Sequence, residues 1–236
     1  MRKLGKKGLA VLLDPDKVAG DKGLMKLIEL IHPSDADFIF VGGSLLVSTE
    51  FDFVIQRIHE KSKIPVIIFP GNPSQVSPHA DAILLLSLIS GRNADLLIGQ
   101  HVVAAPSIRK AELEVISTGY MLVDCGRATT ASYVSQTFPI PYDKPEIAAV
   151  TAMASEMLGH HCIYLDGGSG AQKPVSAEMI AAVRATVQLP LIVGGGIRDE
   201  QQVRAAYASG ADIVVVGTAF EEEPELLFAF AQSRTA

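Results

Sequence analysis

Residues 191–218 read LIVGGGIRDEQQVRAAYASGADIVVVGT, and this stretch holds the plan of the chain. It opens on a short apolar run (191–193) and passes Gly194, Gly195 and Gly196. It then enters a segment of helical period in which Val203, Ala206 and Tyr207 share one stripe. Asp199-Glu200 is a helix start, because an aspartate there can accept from an otherwise unpaired N–H, and Gly210 is the stop. A second apolar run, 213–216, follows and ends in Gly217-Thr218. Apolar runs of this length without polar alternation suit parallel strands covered on both faces. Strand, helix and parallel strand in so short a span make a βαβ unit.

Working outward, similar runs stand at 9–13, 38–41, 66–69, 83–86, 113–116 or 120–123, and 162–165. Helix-period segments lie between most of them, at 51–61, from Pro145 to near Gly159, and at 177–187. Proline suits a first helical turn, where no N–H is needed. Eight strand-like runs in 236 residues, with no break in composition, favour one α/β domain over residues 1–236, a closed (β/α)8 barrel rather than an open sheet. One connection departs from the pattern. After Phe69 the chain reads Pro-Gly-Asn-Pro-Ser-Gln-Val-Ser-Pro-His-Ala-Asp-Ala, too broken by proline for a full helix. The third helix of the barrel should be missing or reduced to a turn.

Composition removes several function classes. Hydrophobic residues make up 48% and charged residues 19%, which excludes a disordered chain. The net charge is −6, and no basic run is longer than Lys6-Lys7, so no nucleic-acid partner is expected. The basic opening, residues 1–7, runs directly into a short apolar stretch, so no leader is expected either. The longest charge-free stretch, 64–80, carries four prolines and cannot cross a bilayer as a helix. Two cysteines, Cys125 and Cys162, suit a reducing cytoplasm and read as inert thiols.

In such barrels the chemistry collects at the C-terminal ends of the strands. There this chain places Asp14-Pro15-Asp16-Lys17, Gly42-Gly43-Ser44, Asp166-Gly167-Gly168-Ser169-Gly170-Ala171, Gly194-Gly195-Gly196-Ile197-Arg198 and Gly217-Thr218. The last three loops read as a phosphate cradle, since glycines let backbone N–H groups approach an anion closely. The bland alternative is a set of tight turns. A bulky residue at Gly195 should crowd the anion while changing the fold little. Asp14 and Ser44 are hard-oxygen ligands that suit Mg²⁺, although Asp14 could equally cap a turn. Asp166, beside the cradle, could accept a proton from a substrate hydroxyl or hold the glycine loop through backbone N–H groups. His160-His161 is not a metal pair, because adjacent side chains point apart, and the other histidines lack ligand spacing. Nicotinamide, ATP and serine-hydrolase fingerprints are all missing.

The chain resembles the geranylgeranylglyceryl phosphate synthases and their bacterial prenylglyceryl phosphate synthase relatives. The resemblance is carried by Leu13-Asp14-Pro15-Asp16-Lys17, Val41-Gly42-Gly43-Ser44, Phe69-Pro70-Gly71-Asn72, Ser90-Gly91-Arg92-Asn93 and Ile98-Gly99-Gln100-His101. It continues through Pro139-Ile140-Pro141, Tyr164-Leu165-Asp166 with Gly168-Ser169-Gly170-Ala171, Val193-Gly194-Gly195-Gly196-Ile197-Arg198 and Val216-Gly217-Thr218. It implies a barrel lacking a regular third helix, and a Mg²⁺-dependent prenyl transfer from a polyprenyl diphosphate, usually geranylgeranyl diphosphate, to sn-glycerol 1-phosphate. By resemblance Asp14 and Ser44 hold the metal. Tyr164, Leu165, Asp166, Gly167, Gly168, Ser169, Gly170, Gly195, Gly196, Gly217 and Thr218 hold the glycerol phosphate. Asp166 takes the position of the catalytic carboxylate, and a homo-oligomer, dimer or hexamer, is implied. The family's usual residue at 166 is Glu. The shorter Asp draws the carboxylate back by roughly 1 Å, a displacement that can cost about a hundredfold in rate. An apolar groove for the tail could be lined by 82–88 and 96–105. The alternatives are a barrel acting on a sugar or heterocycle phosphate, and a catalytically silent glycerol-phosphate-binding paralogue.

Overall fold

The computed structural model describes residues 6–18 and 20–235; residues 1–5, on which much of the reading of the basic opening rests, lie outside them. Eight parallel strands, β1 (Gly8–Leu13), β2 (Phe38–Val41), β3 (Val66–Ile68), β4 (Ala82–Leu88), β5 (Glu114–Leu122), β6 (Cys162–Asp166), β7 (Leu191–Gly194) and β8 (Ile213–Val216), pair in chain order. Pairing of β1 with β8 closes the barrel. The helices are α1 (Gly20–Ile31), α2 (Phe51–Lys61), α3 (Gln100–Lys110), α4 (Thr130–Ser135), α5 (Pro145–Met157), α6 (Ala177–Thr186), α7 (Glu200–Ala208), α8 (Thr218–Glu222) and α9 (Leu226–Gln232). Asp199 caps α7 by accepting from the Gln202 N–H at 2.8 Å, as its position before the apolar stripe implies.

Alternation along each strand divides the core in two. Ala10, Phe40, Leu84, Tyr120, Tyr164, Ile192 and Val215 point inward and fill the barrel. Leu9, Val11, Ile39, Val41, Ile163, Leu165 and Val214 point outward and are covered by helices.

No helix stands between β3 and β4; residues 69–81 form bends and turns. The Gln75 side chain, almost fully buried, takes the place of helical bonding there by accepting from the Gly71 N–H at 2.8 Å. The connection from β4 to α3 passes through one π-helical turn, Asp95–Gly99. The two alternatives for the fifth strand prove to be one nine-residue strand. Its middle, Ser117-Thr118-Gly119, hides it from an apolar pattern for packing reasons. Thr118 is wholly buried and satisfies its hydroxyl on the Ile116 carbonyl at 2.8 Å. At Gly119 a Cβ would stand 1.9 Å from Ser155 Oγ of α5, so only glycine permits the helix to close on the strand.

Candidate active site

Two cavities open at the C-terminal end of the barrel. One is an apolar groove of about 890 Å³, measured out to its open mouth, walled by Leu84, Leu86 and Leu88 of β4, Leu96 of the π-turn, His101 of α3 and Val134 of α4. Its other wall is the helix-free connection, from Phe69 to Val76. The missing third helix is therefore what opens the side of the barrel. The second cavity, about 1030 Å³ on the same measure, is the more polar of the two and sits over the ends of β1, β6, β7 and β8. Gly43, Ser44 and Phe69 line both, so the two meet at the ends of β2 and β3.

The polar cavity gathers most of the residues singled out from the sequence. Asp14, Ser44, Tyr164, Asp166, Gly168, Ser169, Gly170, Gly195, Gly196, Gly217 and Thr218 all line it. Leu165 and Gly167 do not. Leu165 is fully buried on the outer face of β6, and Gly167 donates its N–H to the Gly194 carbonyl at 2.9 Å. Lys17, Thr130, Arg198 and Glu221 also face the cavity. Lys17 and Arg198 lay inside quoted motifs, whereas Glu221 follows the last loop with no pattern to flag it.

Asp166 ends β6, 7% exposed, with both carboxylate oxygens engaged. Oδ1 accepts from the Gly168 N–H at 2.7 Å and Oδ2 from the Tyr120 hydroxyl at 2.5 Å. Burial holds its carboxyl above the ordinary aspartate value, and these two donors pull the other way. The loop-holding contact thus exists, and the Gly168 N–H is not free for an anion. The N–H groups of Ser169 and Gly170 have no acceptor among the described residues. Gly195 adopts φ +83°, and a Cβ there would lie 2.5 Å from the Gly168 nitrogen and 2.8 Å from Asp166 Oδ1. A side chain at 195 would therefore displace the loop itself. That corrects the expectation of little change in fold.

Beneath the junction, Phe69 stacks on Tyr164 (5.1 Å between centroids, 13°) and meets Tyr120 edge-on (5.9 Å). Asp14 does cap the turn, as one of the two readings offered for it has it. Its Oδ1 accepts from the Asp16 N–H at 3.1 Å and caps the turn Pro15–Lys17, while Oδ2 lies 4.0 Å from Lys17 Nζ. The same ammonium pairs with Glu221 at 2.7 Å. Partial burial raises the carboxyls of both Asp14 and Glu221. Elsewhere the thiols of Cys125 and Cys162 are buried and pushed up to about 12 and about 11, as inert thiols should be. His160 Nδ1 bonds Ser155 Oγ at 2.9 Å and His161 faces solvent. Among the described residues no cluster of three His, Cys, Asp or Glu could hold a metal, and no helix is long and apolar enough to cross a membrane.

One family model, described as the PcrB family, matches residues 3–233. The chain belongs to the PcrB family. It is 55% identical over 223 residues to the geranylgeranylglyceryl phosphate synthase of Spirosoma linguale, covering 94% of this chain and 89% of that protein. It is 44% identical over 236 residues to the protein of the same name from Korarchaeum cryptofilum, covering 100% and 96%. Among solved structures it is similar to the (S)-3-O-geranylgeranylglyceryl phosphate synthase of Thermoplasma acidophilum in complex with its substrate sn-glycerol-1-phosphate. That likeness has a TM-score of 0.92 at 30% identity and covers 99% of this chain and 95% of the other.

Proposed function

We propose that this PcrB-family chain is a prenyltransferase that joins sn-glycerol 1-phosphate to a polyprenyl diphosphate, with geranylgeranyl diphosphate the expected donor, giving a prenylglyceryl phosphate ether for ether phospholipid synthesis. The observation that carries this is the meeting of an apolar groove and a polar, glycine-lined cavity at Gly43, Ser44 and Phe69. A sugar-phosphate enzyme would need only the second. The relatives' names, and the sn-glycerol-1-phosphate in the Thermoplasma acidophilum complex, support the same reading.

The phosphate of the acceptor lies against Ser169 and Gly170, Gly195 and Gly196, and Gly217 and Thr218, with the Tyr164 hydroxyl and Arg198 at its margins. This orients the glycerol hydroxyl toward the junction. There it attacks the allylic C1 as the C1–O bond to diphosphate breaks, and Asp166 takes the hydroxyl proton. A carboxyl held above its usual value by burial, yet anchored by two donors, is a stronger base in a fixed place. The polyprenyl tail occupies the groove, where excluding water shields the developing positive charge from capture.

Asp14 and Ser44 fit a Mg²⁺ ion: two hard oxygens on one wall of the polar cavity, beside the junction, leave most coordination positions to water and diphosphate oxygens. The corner already attracts a cation, since Lys17 sits between Asp14 and Glu221. Mg²⁺ bound there would neutralise the diphosphate and improve it as a leaving group.

The chain works as a cytoplasmic homo-oligomer, dimer or hexamer, that visits the membrane surface for its donor. Leu45, Val47, Tyr133 and Phe138 are exposed apolar side chains that suit such a contact. Ile98, Val102 and Val103, before and on α3, and Val150, Met153 and Met157 on α5 are the exposed apolar faces for a second copy.

Incubation of radiolabelled sn-glycerol 1-phosphate with Mg²⁺ and prenyl diphosphates of graded length tests the reading. A labelled ether product is expected. Acceptor binding without turnover of any donor would mark a silent paralogue, and failure to bind the acceptor would return the site to sugar- or heterocycle-phosphate chemistry.

A further inference from the structure

Three glycines after β6 have one neighbour in common. A Cβ at Gly167 would lie 2.9 Å from Cys125 Sγ, and one at Gly168 would lie 2.6 Å from Thr129 Cγ2. At Gly170 it would fall on the Arg127 guanidinium, 3.4 Å from Cζ. The connection from β5 to α4 therefore lies directly on the glycine loop, and side chains there would push the two apart. Its course is fixed at both ends. Asp124 donates its N–H to the Ile140 carbonyl at 2.9 Å, and Thr129 caps α4. Between them the Cys125 carbonyl accepts from the Gln172 N–H at 3.1 Å. This packing delivers a cation to the lip of the polar cavity. Gly170 lines the cavity and Arg127 does not, so the guanidinium stands behind the glycine.

The cavity is short of positive charge. Its charged lining is Asp14, Asp166 and Glu221 against Lys17 and Arg198, three carboxylates to two cations. Both cations are already engaged: Lys17 pairs with Glu221, and Arg198 donates to the Ala171 carbonyl at 3.1 Å. Lys173, further along the glycine loop, lies over the Tyr142 ring at 3.3 Å. Arg127 is exposed and has no ion pair or hydrogen bond among the described residues. Asp124, its neighbour in the same loop, accepts from the Gly126 N–H at 3.1 Å instead. A phosphate monoester carries roughly −1.5 to −2 at neutral pH, and backbone N–H groups answer it with partial charges only. We infer that Arg127 supplies the counter-charge for the acceptor's phosphate, held behind Gly170 by the packing of the two loops. The inference rests on the reading of the glycine loops as a phosphate cradle. A free guanidinium at that lip draws the anion in and slows its escape, and it has no part in the proton transfer at Asp166.

The test uses the full chain with Arg127→Gln, Arg127→Lys and Lys63→Gln, titrated calorimetrically with inorganic phosphate and with sn-glycerol 1-phosphate. Lys63 is exposed just before β3, at the opposite end of the barrel, and controls for net charge alone. Arg127→Gln should weaken both ligands about five- to tenfold in about 0.02 M salt. The deficit should shrink to about twofold in about 0.5 M salt, where screening is short-ranged. Arg127→Lys should keep most of the affinity and Lys63→Gln all of it. In turnover, KM for sn-glycerol 1-phosphate should rise by the same factor with kcat unchanged. Undiminished affinity in Arg127→Gln overturns the inference, and so does a loss that salt leaves unchanged or that Arg127→Lys shares in full. Weaker binding of Mg²⁺ pyrophosphate with inorganic phosphate unaffected would overturn it too, by assigning the charge to the donor. If the unsubstituted protein binds phosphate but turns over no prenyl donor, the prenyltransferase reading fails, and the titration still decides Arg127. If it binds no phosphate at all, cradle and counter-charge fall together.

Discussion

Gly195→Ala is the substitution on which the cradle stands or falls. An alanine at φ +83° costs about 1–2 kcal/mol in backbone strain alone. Its Cβ would also lie 2.5 Å from the Gly168 nitrogen, 2.7 Å from the Gly167 nitrogen and 2.8 Å from Asp166 Oδ1. Two of those neighbours are backbone, so the loop after β6 must retreat by roughly 1 Å to reach ordinary contact distance. That retreat disturbs the Gly168-to-Asp166 bond at 2.7 Å, a bond to a charged group worth about 1.5–3 kcal/mol. The same movement withdraws the Ser169 and Gly170 N–H groups from the bound phosphate. Loss of one such contact corresponds to roughly ten- to hundredfold weaker acceptor binding. Gly159→Ala is the control, since Gly159 has φ +85° but open space where its Cβ would go. Both variants should lose stability in urea denaturation, and only Gly195→Ala should lose affinity in calorimetric titration with sn-glycerol 1-phosphate. Affinity equal to the unsubstituted protein in Gly195→Ala would refute the cradle.

Asp14→Asn should raise the Mg²⁺ concentration needed for turnover at least tenfold while calorimetric binding of sn-glycerol 1-phosphate alone stays nearly unchanged; equal loss of both would make Asp14 purely a turn cap. Leu96→Trp should block the groove between β4 and α3 and shift the preferred donor to shorter prenyl diphosphates, read as kcat/KM against chain length. Asp166→Asn should cost about 10²–10⁴ in turnover with both substrates still bound. It should also abolish an acid limb that, because burial raises the Asp166 carboxyl, lies above the ordinary aspartate range. The sign for stability follows: the native state holds the Asp166 proton to higher pH than the unfolded chain does. Its contribution is therefore fully present at low pH and lost as pH rises through the folded value, so Asp166→Asn should flatten that part of the denaturation midpoint against pH.

The barrel could be read from the sequence because its signals are local. A run such as Ile213–Val216 followed by Gly217 declares a buried strand and its end within a few residues, and Asp199 announces α7 by its own cap. The proline-broken span after Phe69 declared a missing helix for equally local reasons. What stayed hidden depends on register between distant segments. Nothing near Tyr120 marks it as functional; in sequence it follows Ser117-Thr118-Gly119, which reads as a break. Only the pairing of β5 with β6 sets its hydroxyl against Asp166, 46 residues on. The same holds for Glu221, which meets Lys17 across the closure of the barrel, 204 residues apart. Glycine loops can be recognised one at a time because each must bend its own backbone. A carboxylate's basicity cannot, since it is set by whichever donors other strands deliver. Asp166 shows the consequence. Its identity suggested a side chain drawn back from the family's position, and only the fold shows that both its oxygens are held, one by the Gly168 N–H at 2.7 Å and one by a phenol from the neighbouring strand at 2.5 Å.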